Sequence, residues 1–451
     1  MSKKYFGTDG IRGRVGGSVI NLKFMHQLGW AIGSVLCAES SQKPHVLMGR
    51  DTRESGESLQ DALQAGLISA GVDVNLLGVM STPAIAFLTQ KLNASAGIVI
   101  SASHNPFHDN GVKIIGKNGL KIPDEWELKV EHKIDDASSH ANQVDVGNVS
   151  VISDSVSQYI SHCVNLFGSS FSLKNKKIIL DCANGATFNC APDIFSALAA
   201  EVIAIHAEPN GININDHCGA THVDSLQQRV LQTQADCGVA FDGDGDRLIM
   251  VDHRGEIVDG DEILCILATD DTQHYKAIVG TVMSNLGLEK ALQSRGIQFE
   301  RASVGDRYVL EKLQKNNWRL GGEASGHIVN LDYATTGDGI VTALQVLRIM
   351  QNTKKSLHEL KNIMQKRPQI LLNVKVENPN RYSAMPEISE AVLRAEKKLN
   401  GSGRILLRAS GTESCVRVMV ECDDAREARA LAESLVKVVI ESFKHSAHAP
   451  L

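Results

Sequence analysis

The sequence predicts an α/β protein of four domains: three related α/β domains followed by a C-terminal α+β domain. Three observations carry this expectation. A chain of 451 residues exceeds a single domain at about 150 residues per unit. Short apolar runs that lead into Gly/Asp/Asn loops and then amphipathic stretches recur three times, the pattern of βα units around a buried sheet. Beyond Pro368 the pattern gives way to alternating strands and one long helix.

The recurrent units are Val46–Gly49 before Arg50-Asp51-Thr52-Arg53, Ile178–Leu180 before Asp181-Cys182-Ala183-Asn184-Gly185, and Ala277–Thr281 before Val282-Met283-Ser284-Asn285. Their wide separation fits related domains rather than a short-period solenoid. In the first, Leu59, Ala62, Leu63, Gly66 and Leu67 fall near a 3.6-residue period, so a helix is expected over Glu54–Ala70. Ser55 is placed to cap its start and Gly71 to end it. The polar stretch Glu131–Asn148 reads as a linker, Arg254-Gly255 as a hairpin turn, and Gln365-Lys366-Arg367-Pro368 as the last break. The expected domains are 1–150, 151–255, 256–367 and 368–451. In the last, Ile370–Val376, Arg404–Leu407 and Cys415–Val420 read as strands and Ala425–Phe443 as a helix.

With 43% hydrophobic and 22% charged residues, the chain can bury several cores. A net charge of −6 supplies no basic footprint for nucleic acid. A few arginines focused in a cleft can still hold a small anion. The nine cysteines are scattered without a C-x-x-C pair. They read as buried free thiols of a reducing compartment. The start has no apolar leader and no stretch nears 18 uninterrupted apolar residues, so a cytoplasmic protein without membrane spans is expected.

Four segments carry candidate chemistry. Ser101-Ala102-Ser103-His104-Asn105-Pro106 follows the strand-like run Ala96–Ile100, at the sheet edge where ligands bind in open α/β folds. Ser103 there is a candidate nucleophile or phosphate carrier. His104, as its chain neighbour, is expected to point elsewhere. By itself the segment is equally an Asn-Pro turn dressed with polar residues.

In Asp242-Gly243-Asp244-Gly245-Asp246-Arg247, three carboxylates at spacing two can converge on one cation from an extended loop. Hard oxygen ligands suit Mg²⁺. An EF-hand would need Gly and Glu where Arg247 and His253 stand, so that reading fails; a solvated acidic turn is the other alternative. Arg408-Ala409-Ser410-Gly411-Thr412-Glu413 with Arg417 offers hydroxyls, backbone N–H groups and two guanidinium forks, a nest for phosphate or else a tight polar hairpin. Gly322-Glu323-Ala324-Ser325-Gly326-His327 could hydrogen-bond sugar hydroxyls, or be a plain turn.

In this order the four segments, with Phe6-Gly7-Thr8-Asp9-Gly10-Ile11-Arg12-Gly13, resemble the α-D-phosphohexomutase superfamily over essentially the whole chain. The form Ser-Ala-Ser-His-Asn-Pro is most similar to its bacterial phosphoglucosamine mutase branch. That resemblance implies mixed sheets around a central active-site cleft. It implies phosphoserine at Ser103, and Mg²⁺ held by Asp242, Asp244, Asp246 and an oxygen of that phosphoserine. Glu323, Ser325 and His327 would meet the sugar, and Arg408, Ser410, Gly411, Thr412 and Arg417 the non-reacting phosphate. Arg12, Lys113 and His104 would stand beside the phosphoserine. Ala409 and Ser414 depart from the family, many members of which have proline at both places. The implied reaction interconverts glucosamine 6-phosphate and glucosamine 1-phosphate through a hexosamine 1,6-bisphosphate, feeding UDP-N-acetylglucosamine and cell-wall precursors. Phosphoglucomutase or phosphomannomutase activity is the alternative, and a homodimer would fit the family.

Overall fold

The apolar runs become strands, and these sort into four sheets. The computed structural model describes residues 3–136, 146–410 and 414–447. The first sheet holds β1 (Ile11–Arg14), β2 (His45–Arg50), β3 (Asp73–Val79), β4 (Ala96–Ile100), β5 (Asp109–Gly116) and β6 (Val149–Val151), ordered β1-β5-β4-β2-β3-β6. The second holds β7 (Lys177–Asp181), β8 (Glu201–Ile205), β9 (Cys237–Phe241), β10 (Leu248–Asp252) and β11 (Ile257–Val258), ordered β11-β10-β9-β7-β8. The third holds β12 (Ala277–Thr281), β13 (Gln298–Ala302), β14 (Leu320–Gly322) and β15 (Ile328–Asn330), ordered β13-β12-β14-β15.

One unit repeats in all three sheets. β2, β7 and β12 each run between two parallel partners. β4, β9 and β14 each pair parallel with that central strand and antiparallel with the strand that follows. The sheets are therefore mixed, and the connections β4–β5, β9–β10 and β14–β15 are equivalent. They contain the Ser103, Asp242 and Glu323 segments. The fourth sheet, β16 (Gln369–Lys375), β17 (Arg404–Ala409) and β18 (Cys415–Glu421), is antiparallel in the order β16-β18-β17.

One hydrophobic core crosses the first three sheets, from Leu47 and Met80 through Ile178 and Phe241 to Ile278 and Leu347, and the first sheet keeps a second core around Ile11, Leu63 and Ile98. Exchanged helices make the shared core continuous. The helix Ser155–Asn165 packs on the helix Thr82–Lys91, with the rings of Phe87 and His162 stacked at 4.0 Å. The helix Gly339–Thr353 follows the third sheet yet packs on β9 and β10 of the second. The fourth unit has its own core, built from Val374, Ile388, Val416, Val418 and Leu431 among others.

Two sequence expectations change here, and the one for the cysteines holds. The helix Asp124–Asp135 takes in the start of the expected linker, because Glu131 is buried and its carboxylate accepts the N–H groups of Lys4 (2.9 Å), Tyr5 (2.6 Å) and Phe6 (2.8 Å). β6 begins directly after the linker's end, while 137–145 lie outside the described residues. Ser55 does not cap the helix Gly56–Ser69 with its side chain; its hydroxyl accepts from Asn110 Nδ2 at 2.9 Å instead. All nine cysteines are free, and eight of them are buried.

Candidate active site

Ser103 is buried and held in the left-handed backbone region at φ 53°, which costs energy for a side chain with a Cβ. Its surroundings fix that conformation. The Ser103 N–H donates to Ser101 Oγ (2.9 Å), whose hydroxyl donates to Asp51 (2.6 Å). Arg53, fully buried, donates to Asp51 (2.8 Å) and to the carbonyls of Ser103 (2.9 Å), Asn105 (2.8 Å) and Asp109 (3.0 Å). Asn215 Nδ2 donates to the same Ser103 carbonyl at 2.9 Å. The turn leaves Ser103 Oγ donating to Asp242 Oδ2 at 2.6 Å, with His104 Nδ1 3.3 Å away. His104 therefore faces its neighbour, contrary to the expectation from an extended loop, because the chain turns rather than runs straight here. Burial, with Arg247 and Arg12 nearby, pushes its imidazole down to about 4, so the ring is neutral at pH 7.

Asp242, Asp244 and Asp246 are buried, and one oxygen from each lies within 4.8 Å of the others. A turn, not an extended loop, brings them together: the Gly245 N–H donates to the Asp242 carbonyl at 3.1 Å and Gly245 has φ 73°. Burial and the charges of Asp246 and Asp244 push the Asp242 carboxyl well above the usual range. Burial opposes ionisation of Asp246 too, but Lys113 and His327 hold it well below. Lys113 Nζ donates to Asp244 Oδ2 (2.8 Å) and Asp246 Oδ2 (3.0 Å). Burial disfavours its charge, and these aspartates with Asp9 keep it raised. The Oδ1 atoms of Asp244 and Asp246 are buried and have no hydrogen-bond partner among the described residues. Unsatisfied buried carboxylate oxygens in an all-oxygen cluster fit a hard divalent cation.

Further charged groups extend this network. Asp9 pairs with Arg12, Lys121 and, at 3.2 Å, Lys113; Lys121 also pairs with Asp306. His327 is buried, its Nδ1 3.6 Å from Asp246 and its Nε2 3.5 Å from Asp306. Burial lowers its proton affinity, but these two carboxylates hold it above the ordinary value. Glu323 is half-buried, accepts the Gly305 N–H at 2.9 Å, and helps hold the Arg247 charge; Ser325 is exposed. On the fourth sheet, Arg408 and Arg417 stand directly opposite each other on β17 and β18. Burial and Arg417 together lower the Arg408 proton affinity, a strain that an anion between the two would relieve.

Family descriptions match nearly all of the chain. They are phosphoglucomutase/phosphomannomutase α/β/α domain I at residues 3–141, domain II at 157–255, domain III at 259–367 and the C-terminal domain at 371–438. The chain is 53% identical over 446 residues to a phosphoglucosamine mutase of Coxiella burnetii, covering 98% of this chain and 100% of that one. It is 51% identical over 442 residues to a phosphoglucosamine mutase of Azotobacter vinelandii, with 97% and 99% covered. The chain belongs to the phosphoglucosamine mutase family.

Members of this family are phosphohexomutases, isomerases that move a phosphoryl group within a sugar, and the chain is one. Solved phosphohexomutases share its architecture: a phosphoglucomutase/phosphomannomutase family protein of Burkholderia thailandensis superposes with TM-score 0.81 at 25% identity, over 96% of this chain and 97% of that one. An N-acetylphosphoglucosamine mutase of Aspergillus fumigatus, solved with GlcNAc-6P and magnesium, shares the fold at TM-score 0.66 and 17% identity, over 98% and 96%. No helix among the described residues is long and apolar enough to cross a membrane.

Of the residues that the family resemblance singles out, Ser103, His104, Arg12, Lys113, Asp242, Asp244, Asp246 and His327 fall into one polar network. His327 turns toward the aspartate loop rather than outward. Arg408 and Arg417 belong to another sheet and Ser410 follows its β17, while Gly411 and Thr412 lie outside the described residues. Sequence reading singled out neither Asp9 nor Lys121, Arg247, Asp306, Asp51 or Arg53 for the site. Asp9 lies in the Phe6–Gly13 segment that carries the family resemblance, and Asp306 in a polar, Gly-flanked segment, but no role was read for either.

Proposed function

We propose that the chain interconverts glucosamine 6-phosphate and glucosamine 1-phosphate through phosphorylated Ser103 and a bound 1,6-bisphosphate. The observation that supports this most is the seat of Ser103 Oγ, between the Asp242 carboxylate at 2.6 Å and the neutral His104 ring at 3.3 Å. In the first half-reaction the sugar's free hydroxyl oxygen bonds to the phosphorus on Ser103 and the bond from phosphorus to Oγ breaks. In the second, Ser103 Oγ bonds to the other phosphorus and the bond to the sugar oxygen breaks. Each half moves one proton between the sugar hydroxyl and Oγ, and His104 Nδ1 is placed to hold it in transit. Arg12 and Lys113 add positive charge where negative charge develops.

Asp242, Asp244 and Asp246, with an oxygen of phosphoserine 103, would hold Mg²⁺. Bound there, Mg²⁺ supplies charge neutralisation to the transferring phosphoryl group. Arg408 and Arg417, with Ser410, Gly411 and Thr412, grip the phosphate that is not reacting; Glu323 and Ser325 meet the sugar hydroxyls. Together these parts make a phosphosugar the substrate, and the four units work as domains 1–150, 151–255, 256–367 and 368–451.

Intact mass of the purified chain tests the reading. The wild type is expected to carry one phosphoryl group and Ser103→Ala none, with activity lost in the variant. A variant that isomerises at the wild-type rate would sink the mechanism. Comparing kcat/KM on glucosamine, glucose and mannose phosphates tests the sugar, with glucosamine expected to lead.

A further inference from the structure

The second sheet carries another group of metal-ligating side chains, distinct from the three aspartates. Asp181 ends β7 and His206 follows β8, directly alongside in the parallel register that pairs Asp181 with Ile205. Cys218 comes from the following loop. Asp181 and Cys218 are fully buried, Cys218 is a free thiol, and the ligand atoms of all three residues lie within 4.8 Å of one another.

Asp181 lies close enough to raise the proton affinity of the His206 imidazole as in an ion pair, but an ion pair with a bystander thiol leaves the ring's orientation unexplained. His206 Nδ1 lies 3.1 Å from Asp181 Oδ2, close enough for a hydrogen bond, yet Nδ1 is buried and has no hydrogen-bond partner among the described residues. The ring nitrogen is thus near the carboxylate without pointing at it. Two ligands aimed at one cation sit in just this relation: with metal–ligand bonds of about 2.0 Å at tetrahedral angles they stand roughly 3.3 Å apart. His206 is also held at φ 46°, a left-handed conformation uncommon for a residue with a Cβ. Its carbonyl is fixed there by the Asn184 N–H at 2.6 Å.

Asp181 is oriented as a ligand should be. Its Oδ1 accepts the Ala183 N–H (2.9 Å) and its Oδ2 the N–H of Gly219 (3.0 Å), the residue after Cys218. Such outer hydrogen bonds fix the direction of a first-shell carboxylate and leave lone pairs for a cation. The His206 side chain is 30% exposed, which opens one side of the group to solvent.

We infer that Asp181, His206 and Cys218 form a second cation site, selective for a borderline-soft transition ion of the zinc class, with water in the fourth position. The donor set decides the class: thiolate, imidazole and one carboxylate suit zinc, whereas the all-oxygen aspartate loop suits magnesium. The site is linked to the catalytic loop. Asn215, which braces the Ser103 and Asn105 carbonyls, lies three residues before Cys218, and its own N–H donates to the Ala183 carbonyl at 2.9 Å.

The test is a Co²⁺ titration of the full, chelator-treated chain, with absorbance reporting thiolate-to-cobalt charge transfer. One equivalent is expected to develop the band and Zn²⁺ to quench it. Cys218→Ser should abolish it, and His206→Ala should weaken Co²⁺ binding at least about tenfold. Cys182→Ser and Asp244→Asn should keep it, since neither supplies a ligand. No band at saturating Co²⁺ in the wild type, or an undiminished band in Cys218→Ser, overturns the inference. Should Cys218→Ser fail to fold by circular dichroism, the half-exposed His206→Ala decides, and unchanged affinity there overturns it.

Discussion

An alanine methyl at Gly243 would stand 2.6 Å from the Ser103 carbonyl oxygen and 2.8 Å from Asn215 Nδ2. Something must shift, and what shifts is the loop that presents Oγ to Asp242. Gly243→Ala is expected to lower kcat by about a hundredfold with the far-ultraviolet circular dichroism unchanged. Asp261 supports a pH prediction. Burial and then Asp259 push its carboxyl up to about 7 in the folded chain, although it accepts the Asn285 N–H at 2.8 Å. A folded value above the unfolded one contributes stability that is whole below about pH 4 and is lost as pH rises through 7. Asp261→Asn keeps the acceptor and removes the charge. Relative to that variant, the wild type should lose roughly 3–5 kcal/mol between pH 4 and 8, read from urea unfolding at each pH.

At the scale of elements, the helix Asp306–Asn316 of the third unit is tied to the helix Asp124–Asp135 of the first through Arg307. Its Nη2 donates to Glu127 (2.7 Å) and to the Ile122 carbonyl (3.0 Å). Glu127 is only 3% exposed, so removing its partner leaves a buried charge. Arg307→Ala is expected to cost about 3 kcal/mol in urea unfolding, the lower end of the range for a broken buried pair, because Lys3 still holds the other Glu127 oxygen. Such ties were illegible in the sequence. Arg307 stands in a short polar Gly-Asp-Arg segment, and its partner lies 180 residues away. Ser55 shows the converse: a residue suited by type to cap a helix was drawn off by Asn110 from another strand.

Across the whole molecule, one core joins the first three units, which have clusters of their own besides, while no described core joins the fourth to them. What fastens the fourth is largely polar. Arg404 donates to the Val282 carbonyl (2.8 Å) and the Ser284 carbonyl (2.7 Å), and pairs with Glu421 at 2.6 Å; Glu421 in turn accepts the Leu286 N–H at 2.7 Å. Hydrogen bonds can break and reform without exposing a core, so this unit is the one suited to swing while the bisphosphate of the proposed reaction turns. Arg404→Ala should raise KM for the sugar phosphate about tenfold, the size of one lost charge-assisted tie, and leave phosphorylation of Ser103 intact. Limited proteolysis near 365–369 should quicken. Faster cutting without a change in KM would separate mobility from substrate binding.

Read without the structure, the sequence determined the four-unit organisation and the order of the polar segments, and named Ser103, Asp242, Asp244 and Asp246 as candidates. Those residues sit in contiguous stretches, and apolar runs beside Gly-rich polar loops follow local rules that hold wherever the chain goes. Tertiary structure alone decided which charges meet. Asp9 reaches Lys121 across 112 residues, and Lys121 reaches Asp306 across 185; the first pairing depends on β1 lying beside β5 and the second on how the first and third units meet, which no local pattern encodes. It also decided that His104 faces Ser103, because the turn at φ 53° is enforced by Arg53 and Asn215 from elsewhere in the chain.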